Sequence, residues 1–248
     1  MPPPDSSSIA PGAGRFATTH WSLVVAARDP SGPEARAALA ELCSIYWYPL
    51  YAFIRRQGFT ADQAQDLTQE LFLRLLEKDA LMAVDRAKGR FRSFLLAACQ
   101  HFLANERDRA RAKKRGGDRR FLSIDFREAD SRFDREPGHC ETPEKLFERR
   151  WALTLLDRVL GFLYAEYETE GKSHLFEKLK GRLTGSADAI PHAEAAVDLG
   201  MTEGAIKVAA HRLRRRFRAL LREEIARTVT DPGQIDEEIQ SLFAALGP

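Results

Sequence analysis

Cysteine is scarce in this sequence: 248 residues hold three, Cys43, Cys99 and Cys140, each far from the others. That spacing excludes a disulfide scaffold, supplies no paired thiols for a zinc site and fits a reducing compartment. Long apolar runs are also missing, so no segment approaches the length of a membrane span and no membrane insertion is expected. The opening MPPPDSSSIAPGAG has neither the basic start nor the apolar centre of a signal peptide. Together these absences point to the cytoplasm. The six histidines are scattered without ligand spacing, no phosphate loop occurs, and no nucleophile stands beside a base in a recognisable motif. A non-enzyme without metal or cofactor is the expectation. Strand-like alternation is absent as well.

What the chain does have is enough apolar content, 44%, to bury a real core. Its net charge of +2 hides an uneven distribution. RDRARAKKRGGDRR, Arg107 to Arg120, carries eight basic residues against two Asp, and Lys207 to Arg227 carries eight against Glu223 and Glu224. The opening, to about Arg15, has nothing to bury and reads as disordered.

Spacings of three and four recur through the rest, which predicts an all-α fold. Leu39, Leu42, Tyr46, Leu50 and Phe53 line one face of a helix from about Glu34 to Gln57, with Pro49 inside and Gly58 at its end. Thr60 caps the next helix, where Ala64, Leu67, Leu71, Phe72 and Leu75 form the buried stripe. A third helix follows Gly89, with Phe91, Phe94, Leu95, Ala98 and Phe102 inward, and runs to Gly116 and Gly117. The periodicity then fades until Thr142 and Pro143, a cap and a first-turn proline, start a helix through Trp151, Leu155, Leu156, Leu160 and Leu163. A shorter helix is predicted over Ser173 to Leu183. The pattern divides the chain into a disordered opening (1–15), a first helical domain (16–116), a flexible linker (117–141), a second helical domain (142–227) and an amphipathic tail (228–248). Free of other contacts, the linker would span roughly 25 to 30 Å.

HAEAAVDLGMTEGAIKVAAHRLRRRF, His192 to Phe217, has the spacing of a helix-turn-helix. Ala195, Ala196 and Leu199 allow close helix approach, Gly200 suits the positive φ of the turn, and Thr202 caps the second helix. Ile206, Ala210, Leu213, Phe217, Leu220 and Leu221 face inward, leaving Lys207, His211, Arg214, Arg215, Arg218 and Arg222 outward. Such a cationic face suits a major groove, and the bland reading is a solvated basic helix closing a bundle.

AEAAVDLGMTEGAIKVAAHRLRRRF resembles the promoter-reading helix-turn-helix, region 4, of the sigma-70 family, with its pattern E-x-A-x-x-L-G-x-[ST]-E-G-x-[VI]-K. Tyr46 to Lys78 resembles region 2, DLTQELFLRL matching the family's DLxQEVFLRL, and FRSFLLAACQHFLANERDRARAKKR is similar to that region's last helix. Both motifs in this order, with no further domain between them, resemble the extracytoplasmic-function subgroup, and the likeness covers about Ala35 to Arg222.

The resemblance implies a dissociable sigma factor that binds core RNA polymerase and directs promoter recognition, duplex opening and transcription initiation. It implies promoter DNA as a second partner, with an anti-sigma factor or other regulator as a third. It assigns Asp66, Gln69, Glu70 and Arg74 to the clamp helices of the polymerase beta-prime subunit. The residues alone leave open a solvated acidic face on which Arg74 pairs with Glu70. The last helix of the first domain would meet the upstream promoter element through Arg92, Gln100, His101, Asn105 and Arg109, with Lys113, Lys114 and Arg115 on phosphates. His101 and Asn105 stand where many relatives carry Asn and Asp, so the element's sequence does not transfer. In the second domain Lys207 and Arg212 match positions that reach the distal promoter element, with His211 beside them and Arg214, Arg215 and Arg218 toward the backbone.

Three features lie outside the two-domain pattern. RFATTHWSLVVAARD reads as an amphipathic helix against region 2, and the stretch from Tyr164 to Ala193 is longer than usual. The tail places Ile235, Ile239, Leu242, Phe243 and Leu246 on one stripe, as a cap on the second domain or as a regulatory latch. A competing reading of the whole chain is a stand-alone helix-turn-helix regulator whose first domain dimerises or senses a ligand.

Overall fold

Helix α1, Pro33–Arg56, turns apolar on every side in its second half, and Ile45, Tyr46, Tyr48, Leu50, Tyr51, Phe53 and Ile54 are all buried there. A helix apolar all round has to be enclosed by others, and this one is. The computed structural model describes residues 33–77, 90–112, 124, 126, 129–134, 142–183, 190–229 and 231–247, with backbone alone at 33–36, 39, 76–77 and 109–112. The expected opening helix around Trp21, residues 79–89 and Lys113, Lys114 and Arg115 lie outside the described residues, as does the opening to Arg15.

Among the described residues every regular element is helical, and none is long and apolar enough to cross a membrane. After α1 come α2 (Ala61–Glu77), α3 (Phe91–Ala112), a short α4 (Ala129–Asp134), the long α5 (Pro143–Thr169), α6 (Ser173–Leu179), α7 (His192–Leu199), α8 (Glu203–Ala226) and α9 (Ile235–Leu246). Local chemistry sets several of the boundaries. Gly58 ends the α1 turn at φ 91°. Thr60 and Gln63 cap α2 reciprocally, the Gln63 N–H donating to Thr60 Oγ1 (3.4 Å) and the Thr60 N–H to Gln63 Oε1 (3.0 Å). Thr142 accepts from the Lys145 N–H at 3.3 Å with Pro143 behind it, which starts α5 where the spacing predicts.

Helix α5 is the hub. It packs against α1, α8 and α9. Trp151, Leu155, Val159 and Leu163 are its buried stripe. Ion pairs repeat that arrangement: Arg158 reaches Glu41 of α1 (2.9 Å) and Glu224 of α8 (3.3 Å), and Glu224 is buried. The buried residues of the first and second halves belong to one continuous core rather than to two.

Part of the stretch expected as a flexible linker is packed. Within 117–141, Ile124 and Phe126 pack on the core, the Phe126 ring 5.2 Å from Trp47 and 5.9 Å from Tyr51. Ala129 is buried, and the Tyr51 hydroxyl donates to Asp130 of α4. Phe126, Phe133 and Asp130 find partners on α1, about eighty positions earlier, so these described residues are packed.

Candidate nucleic-acid interface

The turn between α7 and α8 is set by hydrogen bonds alone. The Gly200 N–H donates to the Val197 carbonyl (3.2 Å) and the Met201 N–H to the Ala196 carbonyl (2.9 Å), the two bonds of a Schellman ending, with Gly200 at φ 62°. Thr202 then accepts from the Ala205 N–H at 3.2 Å and starts α8. Buried Ala195 and Ala196 bring the two helices together.

From that anchor α8 divides cleanly. Ile206, Ala210, Leu213, Leu220 and Leu221 are buried, and Phe217 is half-buried. Lys207, His211, Arg212, Arg214, Arg215 and Arg218 are exposed. Lys207 also pairs along the helix with Glu203 at 2.8 Å, which holds the Glu203 carboxyl below its usual range. Partial desolvation, helped by the positive field of Arg182 and Lys207, lowers the His192 pKa. Val208, 51% exposed, interrupts the cationic face, and Val197 (81%) and Met201 (37%) are exposed nearby in sequence.

Not every arginine of α8 faces outward for a partner. Arg216 turns back to Glu166 of α5 with Nε at 2.8 Å and Nη2 at 2.6 Å, and its Nη1 lies 3.3 Å from Glu223. Arg222 pairs with Asp236 of α9.

On α2, Asp66 is exposed, while Gln69 and Glu70 are half-buried. Arg74 is not held out to solvent: its Nε lies 2.8 Å from Glu70, its Nη2 2.8 Å from Glu106 of α3, and its guanidinium 4.7 Å from the Phe102 ring centre. The pairing that the residues alone left open is the one present, and Arg74 ties α2 to α3.

On α3, Gln100, His101 and Asn105 are exposed, Gln100 donating to Glu144 at 3.1 Å. Arg109 lies in the helix with only its backbone described, and Lys113, Lys114 and Arg115 lie outside the described residues. Arg92 corrects the sequence reading, which had it outward. Its side chain is 5% exposed, 2.6 Å from Glu148 of α5, paired with Glu238 of α9, and 4.2 Å from the Trp151 ring centre. Burial pushes its pKa down, against the pull of Glu148. The signal was there: Leu95, Cys99 and Leu103, three, seven and eleven positions on, put Arg92 on the buried stripe. Glu148, Arg90 and Arg216, all engaged across elements, were not singled out from the sequence, and Glu238, whose spacing sets it off the tail's apolar stripe, is wholly buried because Arg90 and Arg92 pair with it.

Among the described residues no three His, Cys, Asp or Glu side chains gather as a metal site. A scan against protein-family models, a search of curated proteins and a search of solved structures found no match.

Proposed function

We propose that this chain is a dissociable sigma subunit of bacterial RNA polymerase, similar to the extracytoplasmic-function type, that gives the core enzyme promoter specificity in the cytoplasm. The observation that carries the reading is the division of α8: a capped, glycine-turned helix-turn-helix with one face buried and Lys207, His211, Arg212, Arg214, Arg215 and Arg218 exposed. In a major groove, its early residues approach base edges and its later arginines meet phosphates. A polar group on α2 around Asp66 would serve as the polymerase contact, and exposed His101 and Asn105 on α3 would face the upstream element as the duplex opens. The order of these elements follows the sigma motifs in the sequence.

The shared core of both halves also suits a stand-alone regulator folded as one body. Co-purification with core polymerase separates the two readings. Run-off transcription by purified core polymerase on a genomic DNA library tests the sigma reading directly: specific starts that depend on this chain support it, and their absence removes it.

A further inference from the structure

Residues from three distant parts of the chain meet at one carboxylate. Glu238 of α9 is wholly buried (0% exposed), with Arg90 Nε at 2.8 Å and the Arg92 guanidinium on its other oxygen. Arg92 is held in turn by Glu148 and lies over Trp151, both of α5. Ser241, one turn further along α9, lies 3.5 Å from Arg90 Nη1. At the start of α9, Asp236 pairs with Arg222 of α8. Leu242 is buried one turn after Glu238, with Ile235, Ile239, Ala245 and Leu246 packed on the core.

A helix that only capped the second half would need its apolar stripe and nothing more. A carboxylate taken fully out of water is unfavourable unless it is paired, so Glu238 ties α9 to one place, the start of α3. At 12 residues, α9 is too short to persist as an isolated helix in water. Its structure therefore depends on this seat, and such an element belongs to the parts of a fold that open first. Beside the seat lies a cleft of about 770 Å³, bounded by Arg90, Arg92 and Lys145 on one side and by Ser241 and Ala244 on the other.

We infer that α9 is an autoinhibitory strap: the Glu238 carboxylate occupies Arg90 and Arg92 in the free chain as a stand-in for a DNA phosphate, and withholds both arginines until the strap lifts. A carboxylate and a phosphate oxygen present the same charge-assisted acceptor to a guanidinium, so the two compete for one site. The inference rests on the proposed role in DNA binding.

The test compares the full chain with three variants, using hydrogen exchange of the α9 amides and affinity for promoter DNA in the presence of core polymerase. Glu238→Gln keeps the shape and removes the charge. It is expected to speed α9 exchange and to tighten DNA binding about five-fold or more. Leu242→Ala loosens the strap from its apolar side with both arginines intact and is expected to act in the same direction, which covers the case in which Glu238→Gln does not fold. Arg90→Gln is expected to speed α9 exchange without any gain in DNA affinity, because it removes a phosphate ligand along with the lock. Faster exchange in Glu238→Gln and Leu242→Ala with unchanged or weaker DNA binding overturns the strap and leaves a structural cap. No DNA binding by any of the four proteins, with or without polymerase, overturns the proposed function itself.

Discussion

Arg216 of α8 grips Glu166 of α5 through two parallel hydrogen bonds, 2.8 and 2.6 Å long, and so restrains the rotation of α8 about its own axis. The geometry matches the fork of a guanidinium to the two oxygens of a carboxylate, and the Arg216 pKa is raised, chiefly by this hydrogen bond. Both side chains are about one-third exposed, which limits the pair to about 1 kcal/mol. Arg216→Lys keeps the charge and loses the fork, and is expected to lose most of that stability in urea unfolding. Glu166→Gln should cost a similar amount, and the double variant less than the sum of the two. Full additivity would mean that the two residues do not act as a pair.

The same geometry sorts the remaining cations of α8. Alanine at Arg215 or Arg218, both exposed, is expected to weaken binding to matched and scrambled promoters alike and to reduce the salt slope by about 1 for each phosphate left without its arginine. Alanine at Lys207 or Arg212 is expected to cost about 1 to 3 kcal/mol on the matched promoter only. Arg216→Ala should leave the salt slope unchanged. Titrations across a salt series with both DNAs separate the three behaviours.

Local rules explain what could be read from the chain beforehand. The caps at Thr60, Thr142 and Thr202 and the turns at Gly58 and Gly200 involve residues at most five apart, so spacing alone locates them. The inward stripe of α8 and the start of α5 were legible for the same reason. The joining of both halves was not, because the partners of Phe126, Phe133 and Asp130 lie on α1 and those of Glu238 at the start of α3. Arg92 was misread because its charge argued for solvent while its spacing from Leu95 and Cys99 argued for the core. The carboxylates of Glu148 and Glu238 decide that contest, and no local pattern announces them.

Asp66 is a more exposed probe of the proposed polymerase contact than Glu70. Reversing Glu70 would release Arg74 from its 2.8 Å pair and disturb the α2–α3 packing along with any partner surface. Asp66 is exposed one turn earlier. Asp66→Lys is expected to weaken core polymerase binding about ten-fold or more, since charge reversal at a complementary interface is repulsive, and its unfolding midpoint, measured alongside, separates lost association from lost stability. Equal affinity of the folded variant in a pull-down would remove this face from the polymerase interface.

Cys43 and Cys99 are free thiols, buried in α1 and α3, and burial pushes each pKa from 9.0 to about 12. The thiolate is the reactive form, so neither should be alkylated in the native protein at pH 8 while both should be in urea. Because both values are raised above those of the unfolded chain, stability is retained below about pH 9 and falls as the pH rises beyond it, where only the unfolded thiols lose their protons. Mass spectrometry after timed alkylation reads the first effect, and Cys43→Ser with Cys99→Ala reports how much of the alkaline loss belongs to these two sites.

Gly200 offers a test of the turn that does not touch the exposed cationic face of α8. It stands at φ 62° with no heavy atom within 4 Å of where a Cβ would sit, so a side chain there meets no steric obstacle and only the backbone conformation opposes it. Gly200→Ala is expected to cost about 1 to 2 kcal/mol, the penalty of a left-handed L-residue. Gly200→Asn should cost less, because asparagine tolerates that region better. If the turn sets the angle at which α8 meets DNA, the alanine variant should lose more affinity for the matched promoter than the asparagine variant, in the same order as their stabilities. Equal losses of stability in the two variants would mean that crowding, not φ, governs the position, and would contradict the open space around Gly200.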